Sequence, residues 1–152
     1  GYDSLITLGL LDGIVDIYMP DMKYGDAEVG KTYSQVEHYP QINQAAVKEM
    51  HLQVGDLKTD NDGIAQRGLL VRHLVLPEGL AGTTEIASFL AEDVSEDTYI
   101  NVMDQYRPCY EAGGLPPLDR PVTRAEYREA VEEAREAGLH RFDRRSPFGR
   151  RR

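Results

Sequence analysis

The sequence has no tryptophan and a single cysteine, Cys109, in 152 residues. One thiol excludes a disulfide framework, a cysteine-rich zinc site and an iron–sulfur cluster held by this chain alone. It also points to a cytoplasmic location, where thiols stay reduced. No run approaches the roughly 18 consecutive apolar residues that a membrane span needs, so no membrane partner is expected. Positive charge is scarce too: 17 Lys and Arg stand against 26 Asp and Glu, a net −9. The shortage is uneven. Residues 139–152 hold six Arg and one Asp, net +5, which leaves −14 on residues 1–138. An acidic body repels a phosphate backbone, and no nucleic-acid groove is expected. The basic end, RRSPFGRRR, is a run of like charge, expected to form a disordered Arg-rich tail over 143–152.

Periodicity divides the rest into alternating strands and helices. Asp3 or Ser4 can cap a short helix carrying Leu5, Leu8 and Leu11 on one face, with Gly13 past its end. IVDIYM (14–19) reads as a strand, followed by helical stretches near 26–35 and 41–54. The second of these places Ile42, Ala45, Ala46 and Met50 on one face. GDLKTDNDGIAQRG (55–68) reads as a polar loop around an Asn-Asp-Gly turn. GLLVRHLVLP (68–77) is almost wholly apolar, which suits a parallel strand buried on both faces. A helix opened by Gly82 and Thr83, with Ile86, Phe89 and Leu90 as its stripe, precedes a third strand, TYINVMDQY (98–106). After AGGLPPLDRP, Thr123 and Glu126 form a capping box, with Val122 and Tyr127 as its hydrophobic staple. The helix they open carries Tyr127, Ala130, Val131 and Ala134 on one stripe and stops at Gly138.

Strands separated by helices and long crossovers imply an α/β fold with a parallel sheet. Three strands are few for one, and helical periodicity starts within four residues of Gly1. The chain is therefore expected to be a fragment of something longer.

Ligands of such sheets bind beyond the carboxyl ends of the strands, and polar residues gather there. Asp21 and Lys23 share a parity at the end of DIYMPDMKY. Arg72, Leu74 and Leu76 share one in the second strand, while His73 faces the other way and reads as a satisfied histidine under a helix. The third strand ends in Asp104, Gln105, Tyr106 and Arg107. A structural ion pair accounts for Asp21 and Lys23 as readily as a site does. Together, however, acid, base, guanidinium, amide and phenol suit a zwitterionic or anionic small molecule. Nothing among them amounts to a catalytic triad, so no catalytic residue and no metal ligand is assigned. His38 and His51 make no metal spacing with His73, and Cys109 has no paired histidine.

DIYMPDMKY, VRHLVLPEGLAGT and INVMDQYRP, in this order, resemble the C-terminal half of radical S-adenosylmethionine proteins akin to pyruvate formate-lyase activating enzyme. The resemblance covers most of residues 1–142. It implies a partial (β/α) barrel in which the three strands and their covering helices form half of a six-stranded, three-quarter barrel. It implies S-adenosylmethionine as cofactor, with Asp21 and Lys23 near its methionyl carboxylate and ribose, Asp21 also suited to a monovalent cation. Arg72 and Leu74 would reach the cofactor from the next strand, and Met103 and Tyr106 would lie near the adenine, with Gln105 close by. It further implies a [4Fe-4S] cluster, a missing N-terminal half as partner, and a protein substrate. The family's Cys-x3-Cys-x2-Cys motif and its glycine-rich segment are absent from this chain, so the chain alone is expected to be inert. Tyr106 stands where the activating enzymes tend to carry a histidine. Two other readings remain open: a barrel enzyme using Lys23 as a Schiff-base nucleophile, and a non-catalytic α/β module whose polar edge binds a ligand or partner.

Overall fold

The computed structural model describes residues 2–143, so the Arg-rich tail lies, from residue 144 on, outside the described residues. Eleven α and β elements follow one another: α1 (Leu5–Leu11), β1 (Ile17–Tyr18), β2 (Asp21–Met22), α2 (Ala27–Ser34), α3 (Tyr39–Val54), β3 (Lys58–Thr59), β4 (Ala65–Leu74), α4 (Thr83–Phe89), β5 (Tyr99–Met103), α5 (Arg124–Glu136) and β6 (Arg141–Phe142). The chain is α/β, and β4 is its hub. β1 and β2 run parallel to β4 on one side and β5 on the other, with β6 parallel to β5. The three strands read from the sequence thus lie side by side in chain order, with β4 in the middle.

Three local readings need correction. The first strand does not run unbroken from residue 14: Ile14 is exposed, and the paired stretches flank Met19-Pro20. Proline has no N–H to give a ladder, which explains the break. The 55–68 segment is not all loop. β3 pairs antiparallel with the first half of β4, around a turn in which Asp60 Oδ1 accepts from the N–H groups of Asp62 and Ile64. Its polar residues hide it, because both faces of that short hairpin are largely exposed. Finally, the α3 stripe is rotated: Ala45 is exposed and Ile42 half-buried, while Tyr39, Pro40, Asn43, Val47 and Val54 join Ala46 and Met50 inside. β6 spans two residues, too few to give a strand periodicity in the sequence.

Other expectations match. Ser4 sits at the N-cap of α1, although without a side-chain bond, and Leu8 alone of its leucines is buried. Thr123 and Glu126 make the reciprocal capping box, and Ala130 and Ala134 are the buried residues of α5. Glu126 does more than cap: it takes two bonds from Arg120 and one from the N–H of Glu78. The Arg120 guanidinium in particular holds its carboxyl well below the usual carboxylate range. Gly68 is required where β4 passes the Asp56–Leu57 backbone, since a Cβ there would overlap the Asp56 carbonyl and φ is +121°.

Alternation along β4 and β5 decides where the core lies. Leu69, Val71, Ile100 and Val102 are buried, as is His73, and the four apolar residues pack with Ala46, Val47 and Met50 of α3, Ile86, Ala87 and Phe89 of α4, and Ala130 and Ala134 of α5. Leu70, Arg72, Leu74, Tyr99, Asn101 and Met103 alternate with them and face the other way. Helices cover one side of the sheet.

His73 is fully buried, and its ring ties three elements together. Nδ1 donates to the Met22 carbonyl of β2 at 2.9 Å, which leaves Nε2 to accept from the Thr83 hydroxyl of α4 at 2.9 Å. Burial lowers its pKa from the ordinary 6.5, so the neutral ring belongs to the folded state. The unfolded chain binds the extra proton first, so this contribution is complete above about pH 6.5 and is lost as pH falls toward the depressed folded value. His73→Leu is expected to cost about 1–3 kcal/mol at pH 8, because it orphans the Thr83 hydroxyl and the Met22 carbonyl. It should also flatten the pH dependence of stability between pH 7 and 5. Urea unfolding of both proteins across that range measures this, and equal pH slopes would remove His73 as the cause.

The uncovered parts of the fold have a second consequence. Among the described residues β1 has no strand on its outer edge, and Ile6, Leu10 and Ile14 are 82%, 73% and 71% exposed. Open edges and apolar patches invite association. Expressed on its own, the chain is expected to self-associate with rising concentration in sedimentation velocity, and Ile6→Lys with Leu10→Lys should shift it toward monomer. A wild-type chain that stays monomeric throughout would show that this patch is harmless.

Candidate ligand site on the open sheet face

The strands set the site's rows by register. Asp21 of β2 lies opposite Arg72 of β4, and Arg72 lies opposite Asn101 of β5. One residue row further, Leu74 lies opposite Met103. Parallel neighbours in register project to the same side, so Asp21, Arg72 and Asn101 form one polar row across the open face. The pair at its start is direct: Arg72 Nε donates to Asp21 Oδ1 at 2.6 Å, and a terminal guanidinium nitrogen lies 2.6 Å from the same oxygen. Both side chains are part-exposed, at 38% and 29%. Such a pair contributes only about 0.2–1 kcal/mol of stability. Its geometry matters more. Because both nitrogens converge on Oδ1, Oδ2 keeps its lone pairs for another donor.

Lys23 follows β2 and is exposed, with no ion-pair partner among the described residues. That exposure leaves the Schiff-base reading without the desolvation that would make a lysine nucleophilic. Leu74 is half-buried and joins an apolar cluster of Tyr24, Tyr39, Leu76, Ala81 and Leu118 at the strand ends. Met103 is half-buried, and Gln105 is exposed with its Nε2 3.4 Å from the Met103 sulfur. Tyr106 takes a different course. Its hydroxyl donates to the Leu118 carbonyl at 2.7 Å, and burial, ahead of nearby Cys109, raises its pKa. Its phenol is therefore engaged with the loop, while Asp21 and Arg72 are engaged with each other.

Three residues of this region escaped the sequence reading. Asn101 was legible, since the alternation that gives Met103 and Gln105 gives position 101 as well. Tyr39 and Asn43 were not. They sit on α3, and only tertiary structure carries them to the Asp21 carbonyl, where Tyr39 Oη and Asn43 Nδ2 donate at 3.3 and 3.1 Å. Two cavities, of about 390 and 430 Å³, lie elsewhere. One is lined by Glu78, Thr83 and three glutamates of α5, the other by Val102, Tyr127 and Phe142, and none of the seven expected binding residues lines either.

The donor set limits what can be held here. Cys109 is exposed and lone, and no three His, Cys, Asp or Glu side chains gather as metal ligands among the described residues. No described helix is long and apolar enough to cross a membrane.

Over 139 residues, 91% of its length, the chain is 35% identical to uncharacterized protein MJ0674 of Methanocaldococcus jannaschii. It spans 37% of that protein's length. No family model matches the chain. No solved structure matches it.

Proposed function

We propose that this chain is the cofactor-cradling half of a radical S-adenosylmethionine protein, of the kind related to pyruvate formate-lyase activating enzyme. On this reading its parallel strands are the last part of a three-quarter (β/α) barrel. The observation that carries the proposal is the Asp21–Arg72–Asn101 row, with Lys23, Leu74 and Met103 beyond it, on the sheet face opposite the buried Leu69, Val71 and His73.

The residues fit the cofactor's chemistry. S-adenosylmethionine is a zwitterion with a further positive charge on sulfur, joined to a ribose and a flat aromatic base. Asp21 Oδ2 is left to accept from an ammonium or a ribose hydroxyl, and the Lys23 ammonium is left for a carboxylate. The one Arg72 nitrogen not spent on Asp21, Nη1, adds further donors. Leu74 and Met103 supply an apolar floor, and a thioether suits both an aromatic ring and an irregular gap. When bound, the cofactor supplies a carbon–sulfur bond that one-electron reduction cleaves. This chain's part is to bind and orient it.

The [4Fe-4S] cluster does not fit these residues. One exposed thiol cannot ligate a cubane, which takes cysteines from several positions. On this reading its ligands come from outside these 152 residues, as does any protein substrate. The chain's coverage of 37% of its archaeal relative leaves room for such a segment in a protein of that length.

Lys23→Met keeps the stem's packing and removes a charge-assisted contact worth about 1.5–3 kcal/mol. Affinity of the cluster-loaded, full-length protein for S-adenosylmethionine is then expected to fall by about 10–150-fold. Equilibrium dialysis with the labelled cofactor measures this. An unchanged affinity in a folded variant would leave Lys23 an ordinary surface lysine and take away the proposal's central contact.

A further inference from the structure

The segment that carries Asp21 and Lys23 is held on its outer edge by side chains instead of a strand. In β2, backbone groups alternate between two sides. Arg72 N–H donates to the Pro20 carbonyl at 2.9 Å, so the Pro20 carbonyl faces β4. The Asp21 carbonyl and the Lys23 N–H, one residue out of phase, face away. There a neighbouring strand would donate to the carbonyl and accept from the N–H. The Tyr39 hydroxyl does both: it donates to the Asp21 carbonyl at 3.3 Å and accepts from the Lys23 N–H at 3.1 Å. Asn43, one turn along α3 and 1% exposed, adds a second donor to that carbonyl at 3.1 Å. The ring of Tyr39 is itself held, edge-on against Tyr24 with centroids 5.5 Å apart.

We propose that Tyr39 and Asn43 are positioning residues for the ligand site, fixing the main chain at Asp21–Lys23 so that both side chains meet their ligand in one orientation. This rests on the cofactor reading above and adds the part α3 plays in it. The need for such a clamp follows from the strand's brevity. β2 has two paired residues, Pro20 interrupts the ladder before it, and among the described residues no strand lies beyond it. A segment anchored on β4 alone would pivot about that single ladder. Burial pushes the Tyr39 phenol up to about 12, so its hydroxyl keeps its proton, and its donor, at every physiological pH. The same clamp occupies the edge at Asp21–Lys23, so any strand added beside β1 must stop at Pro20.

Tyr39→Phe removes both hydroxyl bonds and keeps the ring. Two measurements on the full-length, cluster-loaded protein test its role. In the first, affinity for S-adenosylmethionine is compared in wild type, Tyr39→Phe, Lys23→Met and the double variant. Tyr39→Phe is expected to weaken binding by about 2–12-fold, the span of an ordinary hydrogen bond. In the Lys23→Met background it should weaken binding by markedly less, because part of what it positions is gone. In the second, amide exchange at Lys23 should accelerate in Tyr39→Phe, while Gly25, whose N–H donates to the Ala81 carbonyl, stays unchanged. Equal losses in both backgrounds would mean that Tyr39 acts only through general stability, and would overturn the role. Full affinity in Tyr39→Phe alongside weakened Lys23→Met would overturn it too, with the cofactor reading intact. Full affinity in Lys23→Met would sink the cofactor reading, and the positioning role with it. Asn43→Leu, similar in shape and without a donor, reads the same coupling if Tyr39→Phe does not fold.

Discussion

Everything in this fold turns on β4 being hydrogen-bonded along both of its edges while its two faces meet different surroundings. β1 and β2 hold one edge, β5 the other, and β3 folds back on its first half. Ladders on both sides leave the strand no freedom to rotate about its axis. Leu69, Val71, His73 and Val75 are thereby committed to the helices, and Leu70, Arg72 and Leu74 to the opposite side. A slip of one residue would bury Arg72 among the alanines of α3 and α5. An unpaired guanidinium there would cost several kcal/mol.

Commitment of the faces also explains how the buried polar groups are handled. On the helix side the buried ionisable group of β4, His73, is neutral and uses both nitrogens, joining β2 to the start of α4. The strand's exit is secured by Glu126, whose carboxylate gathers Arg120, the N–H of Thr123 and the N–H of Glu78. Glu78 adopts a left-handed conformation, φ 56°, that a residue with a side chain rarely takes. α5 therefore does two jobs from one residue, starting its own helix and holding the turn after β4. On the open side the arrangement is looser. The Asp21–Arg72 pair is part-exposed and leaves acceptors and donors to spare.

Several features were legible in the residues alone, each for a local reason. The Thr123–Glu126 box is a contact between residues three apart, so its sequence pattern nearly specifies its geometry. Alternation in GLLVRHLVLP separated Arg72 from His73, and parity in β2 set Asp21 apart from the buried Met22. Parallel order followed from the long helical crossovers. Misreadings also had local causes. Period-2 alternation says nothing when both faces are wet, which hid β3 and the first residues of β4. The α3 stripe was set a position or two out of phase, because the polar Asn43 and the phenol of Tyr39 look like surface residues until they are seen to serve another strand.

Sequence by itself determined the fold class, the order of the three main strands and which side chains share a face, because helix and strand periods are properties of neighbouring residues. Tertiary structure alone decided the rest. It set Asp21 against Arg72, 51 residues apart, and turned the Tyr106 hydroxyl onto the loop at Leu118. It also brought Tyr39 and Asn43 from α3 to the edge of β2. A hydrogen bond between distant residues leaves no period in the chain. It exists only because packing has already brought its donor and acceptor within about 3 Å.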